Sequence, residues 1–289
     1  MPDNTINNDT FYYNKNVNLK PKLSTYKDSN KVEYWLEQKV LYIRIYDMDD
    51  SRKCRKFYKT KIIEEGKGKE IKKVIFDVRD NMGGDFFLWK LLYELLIKEP
   101  ISLRYSVYGN NPKNLTKQYK RWHGMEDNIT DSIKFDGSVF YRYDTDSSGY
   151  HFPYFHLLKP CKESLKLDCK FITVGNENIF SATGEALQIS NFNPNDNFIS
   201  IGRSTGEFVG NLFDAIVFKL PNSKIKICID PTIDLNNVKE VKDAMHDKYE
   251  YEIPHTIKEW QDKNNYKGNI WDKDFLINYD PFIKQALEL

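Results

Sequence analysis

Residues 74–84 read VIFDVRDNMGG, and residues 171–185 read FITVGNENIFSATGE. Each begins with a short run of β-branched and aromatic residues bounded by polar ones, the pattern of a buried strand. In the first stretch Val74–Val78 is that strand. The turn Asp80–Asp85 (DNMGGD) then leads into Phe86–Ile97 (FFLWKLLYELLI), which has helical length and strong helix formers. In the second, Phe171–Val174 is the strand and Ser181–Asn191 the helix. With Phe198–Gly202 (FISIG) as a further strand, two successive strand–turn–helix units predict an α/β fold.

Working outward, Val40–Tyr46 (VLYIRIY) reads as a strand and Tyr58–Glu65 as the helix after it. Residues 100–170 form an aromatic-rich insert: a strand over Ile101–Tyr108, a helix over Asn114–Trp122, and a strand with its turn over Val139–Gly149. Ile216–Leu220 and Ile225–Asp230 flank the turn Pro221–Ser223 and read as a hairpin. Asp280–Leu289 reads as a short helix. Residues 1–39, rich in Asn, Asp, Lys and Pro up to about Ser29, are expected as a loosely ordered arm preceding a core over residues 40–289. No repeat and no dividing linker interrupts that core.

The 289 residues include 43 basic and 42 acidic ones, a net charge of +1 without the basic excess of a nucleic-acid binder. Aromatic residues reach 15%, enough to fill a sizeable core despite a mean hydropathy of -0.65. No apolar run is long enough to span a membrane. Met1–Thr10 is polar and unlike a signal peptide, so the chain as it stands reads as cytoplasmic, whereas a longer chain could be extracytoplasmic. Cys54, Cys161, Cys169 and Cys228 form no C-x-x-C pair, and no metal or cofactor is expected.

Chemistry concentrates at the two turns. Gly83 and Gly84 permit positive φ and expose N–H groups before a helix, where developing negative charge is stabilised. They equally suit a plain tight turn. Ser181 at the start of a helix is an N-cap or a nucleophile, with the small Ala182 leaving room for a substrate.

Ile75–Gly84 resembles the D-x-R-x-N-x-G-G element of the tail-specific (C-terminal processing) serine peptidases, a family that includes the tricorn-type enzymes. Asn178–Glu185 resembles their nucleophile segment. Ile201–Gly206 (IGRSTG) resembles their G-x-x-T-x-G turn, Leu220–Ser223 (LPNS) a hairpin turn of bacterial members, and Asp280–Leu289 (DPFIKQALEL) their C-terminal helix. The five segments occur in the family's order between Val40 and Leu289. The resemblance implies a ClpP/crotonase-like core of mixed β-sheet with flanking helices, no PDZ domain, and a peptide or unstructured protein as substrate. It implies Ser181 as nucleophile, an oxyanion hole from the backbone of Gly83 or Gly84 with that of Ala182, and Asp77 and Arg79 as supports of the loop.

The general base is the departure. Where the processing branch has a Lys after its threonine turn, this chain reads Thr205-Gly206-Glu207-Phe208. Lys219 and Lys224 flank the LPNS turn, and no His precedes Val40. Of the five histidines, His151 and His156 in the insert are the candidates for a base; His123, His246 and His255 are not assigned. Glu250 is a candidate for a supporting carboxylate. Two other readings compete: a peptidase fold that has lost its base and binds peptides or proteins, and a crotonase-type acyl-CoA enzyme.

Overall fold

The computed structural model describes residues 29–48, 51–85, 87–102, 106–109, 129–135, 138–144, 157–192, 196–203, 216–229, 232–233 and 249–289. The expected helix over 114–122 lies outside them, as do residues 1–28 of the expected arm.

The central sheet has six strands: β1 (Lys31–Trp35), β2 (Val40–Arg44), β3 (Lys73–Asp77), β9 (Lys170–Val174), β10 (Phe198–Gly202) and β14 (Tyr251–Glu252), hydrogen-bonded in the order β1-β2-β3-β9-β10-β14. Only the β1–β2 pair is antiparallel; every other neighbour runs parallel. Between β3 and β9 lie β4 (Ile101–Ser102), β5 (Ser106–Gly109), β6 (Ile129–Phe135), β7 (Ser138–Asp144) and β8 (Leu157–Leu158). The later β11 (Ile216–Lys219) and β12 (Lys226–Ile229) form the expected hairpin, and β13 (Thr232–Ile233) pairs with β5. The expected strand 101–108 is therefore two short strands in different sheets.

Both faces of the central sheet are covered, which explains its continuous apolar runs. On one side Val74 and Phe76 pack with α1 (Ser51–Gly66), α2 (Phe87–Leu96) and α3 (Ala182–Phe192) through Tyr58, Ile62, Trp89, Leu92, Tyr93 and Leu187. On the other, Ile75, Ile172 and Ile201 meet Leu276 of α5 (Lys273–Asn278) and Phe282, Ile283 and Ala286 of α6 (Pro281–Glu288). A polar helix, α4 (Ile257–Asn265), precedes these two.

Two boundaries differ from expectation. The arm does not extend to residue 39, because Lys31–Trp35 pair along the whole of β2 and bury Val32 and Trp35. Helix α1 starts seven residues earlier than expected: Cys54, Tyr58 and Ile62, spaced by four, lay one buried stripe along a surface that is otherwise mostly charged.

Candidate active site

The site lies where β3 and β9 end. These strands are adjacent, parallel and in register, Asp77 opposite Val174, so the chains leaving them emerge side by side at the carboxyl edge of the sheet. A Val78 N–H to Val174 C=O bond of 2.9 Å continues the pairing one residue beyond the strands.

Asp77 anchors the first loop. Its fully buried carboxylate accepts hydrogen bonds from the Tyr42 hydroxyl (2.8 Å), from Arg44 Nη1 (3.2 Å) and from Arg79 Nε (2.9 Å) and Nη2 (2.6 Å). Burial alone would raise the Asp77 carboxyl, but the Arg79 and Arg44 charges outweigh it and hold it at about 2. Arg79 is shared: its Nη1 lies 2.6 Å from Asp280 Oδ2. The other oxygen of Asp280 caps α6 by accepting from the N–H groups of Phe282 (3.1 Å) and Ile283 (3.0 Å). Trp271 covers the cluster, 3.4 Å from the Arg44 guanidinium carbon and 5.0 Å from that of Arg79. Asp77 and Arg79 thus fix the direction in which the loop leaves the sheet.

Asn81 joins the two loops. Its buried side chain donates to Ile45 C=O (2.7 Å) and accepts from Gly83 N–H (2.8 Å) and the Thr183 hydroxyl (2.7 Å). Its carbonyl accepts from Phe180 N–H at 3.2 Å. Trp89 Nε1 donates to Ala182 C=O at 2.7 Å, tying α2 to the start of α3.

Ser181 sits between these ties in a left-handed backbone conformation, φ 55°, with its side chain exposed. That conformation costs an L-residue other than Gly, Asn or Asp roughly 1–2 kcal/mol. It also differs from the extended backbone of an N-cap. Among the described residues the Ser181 hydroxyl has no hydrogen-bond partner. Ser181 is therefore a serine of strained backbone and exposed side chain at the end of the connection from β9 to α3.

Gly83, at φ 98°, lies directly against it. A Cβ there would stand 2.8 Å from both Ser181 Cβ and Phe180 O, and 3.2 Å from Ala182 N. The glycine leaves room beside the backbone nitrogen of Ala182, whose N–H has no acceptor within α3 because it opens the helix. Gly84 faces elsewhere: a Cβ on it would meet Met48, which pairs with it in an isolated bridge.

The remaining candidates divide by whether the structure describes them. His151 and His156 lie outside the described residues, as do His123, His246 and the Thr205–Phe208 stretch. Lys219 and Lys224 are exposed on the hairpin. His255 is 72% exposed, and its Nε2 lies 3.7 Å from Glu177 Oε1. The Glu250 N–H donates to Ser200 Oγ at 3.0 Å, and burial and Asp196 raise its carboxyl while Lys170 lowers it; among the described residues no hydrogen bond or ion pair joins it to Ser181. Thr183, Trp89, Asn176 and Asn178 were not foreseen; their contacts require the β3–β9 register, which the sequence does not spell out. Among the described residues no group of His, Cys, Asp and Glu is placed to hold a metal, and no helix is long and apolar enough to cross a membrane.

No family model and no curated protein matches the sequence. Solved structures do resemble the chain. A candidate peptidase from Parabacteroides merdae ATCC 43184 superposes with a TM-score of 0.52 at 16% identity, over 92% of this chain and 66% of that one. A candidate S41 protease from Bacteroides fragilis NCTC 9343 gives 0.46 at 15% identity, over 90% and 56%. Mature CPAF gives 0.47 at 12% identity, over 86% and 50%. The chain spans about half to two thirds of the length of these proteins. The first likeness shows a shared α/β fold.

Proposed function

We propose that the chain is a serine-type endopeptidase of the tail-specific kind, built on a ClpP/crotonase-like core and cleaving peptide bonds through an acyl-enzyme at Ser181. The observation that carries this reading is the strained, exposed Ser181 packed against Gly83 beside the open Ala182 N–H. The Ser181 oxygen attacks the scissile carbonyl carbon, and its proton passes to a base. The tetrahedral oxyanion faces the Ala182 N–H and the Gly83–Gly84 loop. Collapse breaks the C–N bond as the base returns the proton to the leaving amine, and water then hydrolyses the ester by the same steps. The Gly83 N–H donates to Asn81 Oδ1 at rest, so an oxyanion recruits it only in competition with that bond. The base is assigned to the 100–170 insert, to His151 or His156. The substrate is an extended peptide or unstructured protein, and Met82 and Phe180, both exposed, offer it apolar surface beside the nucleophile.

One observation favours a second reading, a peptide- or protein-binding module on the same fold: no base touches Ser181 among the described residues. A fluorophosphonate probe and a library of unstructured peptides separate the two. The peptidase reading expects labelling at Ser181 and a fall in turnover of ~10²-fold or more in Ser181→Ala. Equal turnover in both proteins sinks it, whereas tight peptide binding without labelling or cleavage establishes the module.

A further inference from the structure

Three contacts join the Ser181 loop to a residue with no part in the chemistry. The Asp80 N–H donates to Asn176 Oδ1 at 3.0 Å, and Asn176 Nδ2 returns a bond to Asp80 Oδ1 at 2.8 Å. Asn178 Nδ2 donates to the same carboxylate oxygen at 3.0 Å. Asn176 Oδ1 also takes the Asn178 N–H at 3.3 Å. One carboxylate oxygen therefore collects two side-chain amides from the segment running from the end of β9 to Ser181. Bonds to an ionised acceptor are the stronger kind.

The backbone of Asp80 is itself left-handed, φ 63°, a conformation that Asp and Asn tolerate better than other side chains. The conformation turns the Asp80 N–H and carboxylate together toward Asn176. Ser181 is held in the same left-handed region and is three residues beyond Asn178. A serine free to relax leaves that region, and the segment before it is where relaxation would begin. The Phe180 N–H to Asn81 C=O bond of 3.2 Å is the next tie along.

We propose that Asp80 is a positioning residue for Ser181, acting through Asn176 and Asn178 to hold the nucleophile loop against the Gly83 loop. This deepens the peptidase reading and rests on it only for the activity readout. Asp80 touches neither substrate nor reacting atoms. Its effect is on the fraction of molecules in which the Ser181 hydroxyl points where the oxyanion site can be used.

Two variants separate side chain from backbone. Asp80→Gly removes the carboxylate and keeps positive φ available, whereas Asp80→Asn keeps an acceptor oxygen and tolerates the same φ. The measurements are the fluorophosphonate labelling rate at Ser181, amide hydrogen exchange at Phe180 and Thr183, whose N–H groups donate to Asn81 C=O and Phe180 C=O, and Tm. Asp80→Gly is expected to label about tenfold more slowly or worse, with faster exchange at both amides and a near-parental Tm. Asp80→Asn is expected within about threefold of the parent, and Asn178→Ala on top of Asp80→Gly is expected to add little, because the two act through one contact. Parental labelling and exchange in Asp80→Gly overturn the proposal, as does an Asp80→Asn as slow as Asp80→Gly. If the parent itself fails to label, the peptidase reading falls. Exchange at Phe180 and Thr183 still decides the positioning role: unchanged protection in Asp80→Gly refutes it.

Discussion

Replacing Gly83 with alanine adds one methyl group at the tightest point of the site. The methyl would stand 2.8 Å from Phe180 O and Ser181 Cβ and 3.2 Å from Ala182 N, on a backbone at φ 98°. The φ strain alone is about 1–3 kcal/mol. Overpacking of a close contact adds about 1–3 kcal/mol where the neighbours are backbone and cannot swing away. Restoring ordinary contact requires the two loops to part by roughly half an ångström, comparable with the tolerance of a catalytic constellation, ~0.5 Å. The methyl would also crowd the backbone nitrogen of Ala182. The expected result is a fall in peptide turnover and in fluorophosphonate labelling of about 10²-fold. Tm should fall by only a few degrees, since the strain can relax locally at an exposed loop. Turnover within twofold of the parent, at unchanged Tm, would refute the reasoning, because it would mean that the 83–181 contact is not where the chemistry happens.

The other predictions concern what holds that contact in place. The Asp77 carboxyl is held at about 2, below its ordinary 3.8, so its stabilisation is present above about pH 4 and is lost as pH falls toward 2. The drop is worth about 2 kcal/mol, and acid unfolding of Asp77→Asn should lack that portion of the pH dependence. Asp280→Ala removes both the α6 cap and a buried partner of Arg79; chemical denaturation should show a loss of about 3–5 kcal/mol. Trp89→Phe removes the bond to Ala182 C=O and leaves a cavity where the fully buried indole stood. It should cost about 2–4 kcal/mol of stability, and slower labelling of Ser181 with little change in peptide affinity would place part of the loss at α3.

The apolar strands were legible because both faces of the sheet are buried: VIF, FITV and FISI need no partner to be recognised. Gly83 and Ser181 were legible as types at turns, but their contact was not, since it depends on β3 and β9 being adjacent and in register across about ninety intervening residues. For the same reason Asp80 read as one more polar turn residue, and Thr183 and Trp89 as ordinary helix positions. Strand β1 was hidden because KVEYW alternates imperfectly, burying only Val32 and Trp35. Helix α4 was hidden because IKEWQDKNN is polar almost all round, its buried Glu259 being paired with Arg203.

The bond between Arg79 and Asp280 joins residues 201 positions apart. On a ribosome adding ~5–20 residues per second, Arg79 precedes its partner by roughly 10–40 s. Ser181 itself is made about halfway through, so for roughly the last 5–20 s the strands that carry Ser181 and Gly83 exist without the helix cap that locks Arg79. On the peptidase reading, nascent chains stalled before Asp280 should take up no serine-directed probe. The distance along the sequence works as a timer, setting the lock on Arg79 long after Arg79 itself is made.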